Sequence, residues 1–98
     1  MSDTSASVPV RIYDVRTAAG SSYILELGTD CYLTRKPGMS RPDGYEEPKR
    51  LPGDFTRLPL SGEFTLELGN PAVFIVVLGD DIARFDTAPV ITITEVTP

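Results

Sequence analysis

The residues able to do chemistry in this chain are few, and most of them are carboxylates. Glu46 and Glu47 are adjacent acids, the simplest form of a carboxylate pair for acid–base work. In an extended chain neighbouring side chains point to opposite sides, whereas glycoside hydrolysis needs two carboxyl groups facing one sugar. A solvated loop accounts for the pair. Asp80, Asp81 and Asp86 form a second acidic group that could offer oxygens to a hard cation such as Ca²⁺. Their spacing follows no EF-hand pattern, and turn-forming and capping roles explain them, so no metal site is assigned. Cys31 is the single cysteine and has no histidine to activate it, because the chain contains none. Asp30 beside it would disfavour the thiolate further. Lys36 and Lys49 could in principle activate a serine, but both fall in a proline-rich stretch, a poor place to desolvate an amine.

Absences narrow the chemistry further. Without histidine there is no imidazole base, no Ser-His-Asp or Cys-His pair and no His-based metal site. One cysteine permits neither an intrachain disulfide nor a thiolate zinc cluster. No glycine-rich phosphate loop is present. The expectation is therefore a non-enzyme without a cofactor.

The 98 residues suit one domain with a modest core. An apolar fraction of 41% and a charged fraction of 23% are those of a globular chain, too apolar for wholesale disorder. The longest apolar run, Ala72 to Leu78, has the length of a strand and falls far short of a membrane span. Residues 1–7 form a polar tail without the basic and apolar regions of a signal peptide. The expectation is a protein of the cytoplasm, or of a virion assembled there, with no membrane partner.

A period of two runs through most of residues 8–98, read as a single β-domain. Phe64, Leu66 and Leu68 alternate with Glu63, Thr65 and Glu67, and Tyr23, Leu25 and Leu27 follow the same pattern. Val90 to Val96 is rich in β-branched residues, with Ile91 and Ile93 expected on one face. Val73 to Leu78 is apolar at every position and reads as a central strand covered on both sides. Val8, Val10 and Ile12 alternate, then Tyr13 and Val15 shift the register, as a bulge near Tyr13 or a strand crossing between sheets would do. Turn residues punctuate the chain at 19–21, 28–30, 61–62, 69–71 and 79–81. No helical stripe is present beyond a single turn that Asp80 could cap over Asp80–Arg84. The pattern predicts an all-β fold, an antiparallel β-sandwich or small barrel of about seven short strands. Tyr23–Gly28 and Phe64–Gly69 also echo one another as aromatic, Leu-Glu-Leu and glycine, a likeness that chance among amphipathic strands can produce.

The segment 35–54 departs from this pattern. It holds Pro37, Pro42, Pro48 and Pro52 together with Gly38, Gly44 and Gly53. Proline removes a ladder donor, so a projecting loop is predicted here, semi-rigid as readily as floppy. Charge divides along the same line. Residues 35–57 carry six basic residues against four acids, and the rest of the chain three against ten. The total of −5 thus hides a mildly basic arm on a strongly acidic body. Solvated loops collect charge in any case, but subunits repeated head to tail could also set arm against body.

Arg35, Lys36, Arg41, Tyr45, Lys49 and Arg50 are therefore the candidate partner-contact residues. The expected partner is protein, as a homo-oligomer or a larger assembly. Nucleic acid is not expected, since the acidic body opposes the counterion release such binding needs. The reading favoured is a structural or assembly protein that contacts neighbours through its arm and tail, in the setting of a phage or virus particle as a capsid-decorating or tail protein. The alternative is a small acidic binding module that occupies a basic surface on another protein, losing it as salt screens the contact.

Overall fold

A computed structural model describes residues 10–38 and 53–96. Six antiparallel strands follow one another in chain order: β1 (Arg11–Thr17), β2 (Ser22–Leu27), β3 (Tyr32–Lys36), β4 (Arg57–Thr65), β5 (Pro71–Leu78) and β6 (Asp81–Val96). Each pairs with the next, and β6 returns to β1, closing a small barrel. The all-β reading holds, and of the two architectures expected it is the barrel.

Two strands are shared between the halves of the barrel. β4 pairs with β3 over Arg57–Pro59 and with β5 over Leu60–Thr65. β6 pairs with β5 over Asp81–Pro89 and with β1 over Val90–Val96. A strand passing from one sheet into the other must bend, and each bend here falls at an irregular register. The register slips between Leu60 and Phe64 on β4 and near Thr17 and Val90 where β6 meets β1. β6 works as two strands in succession, pairing first with β5 and then with β1, so six continuous elements supply the seven strands expected.

Inward rows of side chains fill the barrel. Val15, Tyr23, Leu25, Leu33, Leu58, Leu60, Ala72, Phe74, Val76, Phe85 and Val90 are all buried. Phe74 lies at the centre of the aromatic packing, with the rings of Tyr23 and Phe64 5.6 and 6.0 Å from its own. Both echoing segments thus lead with an aromatic that packs on the same ring, but the likeness ends there. Tyr23–Leu27 stays in its strand, whereas β4 ends at Thr65 and Leu68 emerges 58% exposed.

Several local expectations need correction. No bulge occurs at Tyr13, since β1 pairs with β2 in unbroken register from Arg11 to Arg16. Tyr13 and Val15 simply begin the inward row, and Val10 and Ile12 belong to the outer one. The slip falls four residues later, where Ile91 is passed over between the partners of Arg16 and Thr17. That leaves Ile91 56% exposed while Ile93 packs on the core, so the two do not share one burial. β5 is not covered on both faces: Ala72, Phe74 and Val76 point inward, and Val77 opposite them is 43% exposed. Asp80 caps no helix. It lies in the two-residue turn between β5 and β6, and Asp81–Arg84 is extended.

Candidate functional site

The candidate arm does not begin at Arg35. β3 continues through Lys36, and Arg35 occupies the inward row after Leu33, opposite Tyr23. A guanidinium in a barrel interior needs partners, and two are described. Its Nη1 donates to both carboxylate oxygens of Asp54, at 2.8 and 2.7 Å, and its Nε donates to the Tyr23 hydroxyl at 3.3 Å. The side chains of Arg35 and Asp54 are only 10% and 5% exposed. Burial works to lower the Arg35 pKa, but the hydrogen bonds Arg35 donates to Asp54 and Tyr23 outweigh it, and the net direction is upward.

The backbone completes a clasp at this point. Phe55 N–H donates to the Arg35 carbonyl at 2.8 Å, and Thr56 N–H closes a turn onto the Gly53 carbonyl at 3.0 Å. Gly53 has φ +86°, and a Cβ there would lie 2.8 Å from Leu78 Cδ1 and 3.1 Å from Leu58 Cδ1. Only glycine fits both the dihedral and the gap. Phe55 also takes a positive φ of 62° while remaining 48% exposed. A bulky residue in the left-handed region is strained, so the turn is held by its surroundings and not by local preference. The segment following the arm is therefore bound to β3, β4 and β5 at once.

Among the other candidate contact residues, Lys36 ends β3 half-buried. Arg41, Tyr45, Lys49 and Arg50 lie outside the described residues, as do Glu46, Glu47 and the polar tail.

A second feature is a shallow cleft of about 260 Å³ lined by Val10, Glu26, Thr29, Asp30, Tyr32 and Arg57. The Arg57 guanidinium carbon stacks 3.5 Å above the Tyr32 ring centre, and its Nε donates to both Glu26 oxygens at 3.0 and 3.1 Å. The Glu26 bond raises the Arg57 pKa above its ordinary value. Three of the lining groups, Glu26, Tyr32 and Arg57, thus engage one another, and β2, β3 and β4 place them on neighbouring strands. Sequence reading missed this cluster because it depends on three strands lying side by side.

The remaining chemistry-bearing groups are dispersed. Asp81 and Asp86 sit five residues apart on one strand, roughly 16 Å at about 3.3 Å per residue, and an odd spacing puts them on opposite faces. Asp86 is engaged by Arg84, whose Nε and Nη2 donate to it at 3.0–3.1 Å. Cys31 precedes β3, half-buried, with its Sγ 3.9 Å from the Gly28 carbonyl oxygen. Among the described residues no three His, Cys, Asp or Glu side chains converge as a metal site would require. No helix among the described residues is long and apolar enough to cross a membrane.

Compared with protein-family models, curated proteins and solved structures, the chain gives no significant match.

Proposed function

We propose that this protein is a non-enzymatic assembly module, a rigid β-barrel body that presents the arm between β3 and β4 to a neighbouring protein. The observation that carries this reading is the buried Arg35–Asp54 pair at the root of the arm. Buried ion pairs are costly to desolvate and add little net stability, whereas removing one partner is strongly destabilising. Here the pair fixes where the chain re-enters the barrel, joining residues 19 positions apart in sequence. The arm so rooted carries Arg41, Lys49 and Arg50, while the net charge of the chain as a whole is −5. Basic arm and acidic body are complementary, which suits repeated subunits. A phage or virus particle, with the protein decorating the capsid or forming part of the tail, is the setting proposed on the grounds of size and build.

Deleting residues 37–52 and joining the ends with a short turn tests the reading. The shortened barrel should retain its β-sheet circular dichroism yet lose every assembly larger than a dimer in sedimentation. Assembly unchanged by the deletion would overturn the role given to the arm.

A further inference from the structure

We propose that the outer edge of β6 between Ile82 and Thr87 pairs, antiparallel, with the same edge of a second copy of this chain, with the two-fold axis at Phe85. The inference uses no residue of the arm and does not rest on the assembly reading above.

The barrel is closed, but not along the whole of β6. β5 occupies one side of the first half, in regular register from Asp81 to Asp86 and, past a shift, at Pro89, and β1 reaches only Val90–Val96 on the other side. Among the described residues, no strand pairs with the second side of Ile82–Thr87. An unpaired strand edge exposes a row of peptide donors and acceptors that can template another strand.

Hairpin geometry shows which groups face outward. Leu78 and Asp81 are partners across the two-residue turn Gly79–Asp80, and residues flanking such a turn exchange their peptide hydrogen bonds. Alternation then turns the peptide groups of Ala83 and Phe85 toward β5, and those of Ile82, Arg84 and Asp86 toward the open side. Arg84 and Asp86 also have exposed side chains, at 64% and 58%. Neither proline nor lysine guards this stretch, and Ile82 at its start is 75% exposed.

Charge selects the register. A two-fold axis at Arg84 would set Arg84 against its own copy, and an axis at Asp86 would set carboxylate against carboxylate. An axis at Phe85 places Arg84 opposite Asp86 of the second copy, and Asp86 opposite its Arg84. In that register the residues facing each other are those whose peptide groups point outward, so backbone bonds and charge pairs form together. Cross-strand pairs of opposite charge stabilise a sheet, and directly opposed like charges destabilise it. A contact of this kind is self-complementary, as a two-fold interface requires. Its small area fits a weak, reversible dimer.

Sedimentation equilibrium of the full chain over a range of concentrations is the test, with circular dichroism to verify folding. The unaltered chain should shift from monomer to dimer as concentration rises. Arg84→Asp and Asp86→Arg each create two like-charge pairs across the axis, and each should weaken dimerisation by about tenfold or more. The double exchange, R84D with D86R, should restore it to within about threefold of the original. Amide exchange at Arg84 and Asp86 should slow as the dimer forms, while that of the exposed turn residue Asp80 stays unchanged. A monomer at every concentration, single variants that dimerise like the original, or a double exchange no better than the singles would each overturn the proposal.

Discussion

Of the arginine–aspartate pairs among the described residues, Arg35–Asp54 and Arg84–Asp86 differ in almost everything except chemistry. Arg84 and Asp86 make the fuller set of contacts, with two nitrogens donating to the carboxylate at 3.0–3.1 Å. Arg35 and Asp54 meet through one nitrogen at 2.7–2.8 Å, with Tyr23 as a further partner. Yet Arg84 and Asp86 are two strand residues mostly in water, whereas Arg35 and Asp54 are distant in sequence and almost fully enclosed. Water screens the first pair, and holding two exposed side chains in place costs entropy. Little solvent reaches either charge of the second pair, so removing one partner strands a charge that was costly to bury.

Removing one member of the buried pair should have the largest effect. Asp54→Ala leaves the Arg35 guanidinium enclosed without its carboxylate and should cost about 3–5 kcal/mol in urea unfolding. Replacing both residues together, as R35M with D54L, should recover most of that loss, since apolar side chains of similar volume carry no desolvation cost. If the single and double variants were equally unstable, the pair would matter for its packing and not for its charge. Because the Arg35 pKa is raised, its contribution is complete at neutral pH and is lost only as pH rises through that elevated value in the strongly alkaline range. Stability measured from pH 7 to 9 should therefore show no loss traceable to Arg35.

Smaller effects sharpen the contrast. Gly53→Ala adds a Cβ where the gap to Leu78 is 2.8 Å and φ is +86°, and should cost about 1–3 kcal/mol in thermal unfolding. Tyr23→Phe removes the hydroxyl that accepts from Arg35 and should cost about 1 kcal/mol, because Asp54 still holds the guanidinium. Phe55→Gly relieves a bulky residue at φ 62° and should stabilise the clasp by up to about 1 kcal/mol. At the other pair, Arg84→Ala should change the stability of the monomer by less than about 0.5 kcal/mol. A large loss there would mean that β6 depends on this contact far more than its exposure implies.

How much was legible in the sequence varied with the range of the interaction. Alternation in Tyr23–Leu27 translated directly into a strand with one buried row, because a period of two needs only local geometry. The same alternation failed at Leu68, where β4 ends at Thr65 and the chain turns before the pattern is used. Val73–Leu78 misled in a different way. Uniform apolarity suggests burial on both sides, but in a barrel one side is the core and the other faces out, so Val77 is exposed. Arg35 was read as part of the arm because it adjoins Lys36 and Pro37. Nothing local marks it as an inward residue, since its carboxylate partner lies 19 residues away. The Arg57–Tyr32–Glu26 cluster escaped notice for the same reason, being assembled from three strands.

By itself the sequence determined the β class, the absence of histidine chemistry, the turns and the proline-rich interruption, since all depend on residue type and nearest neighbours. Closure of six strands into a barrel, the bends of β4 and β6, the burial of Arg35 against Asp54 and, among the described residues, the unpaired edge beside Arg84 were decided only by the tertiary structure. Each depends on which distant strands come to lie together. A side chain's charge is written in the sequence; whether water reaches it depends on the strands around it.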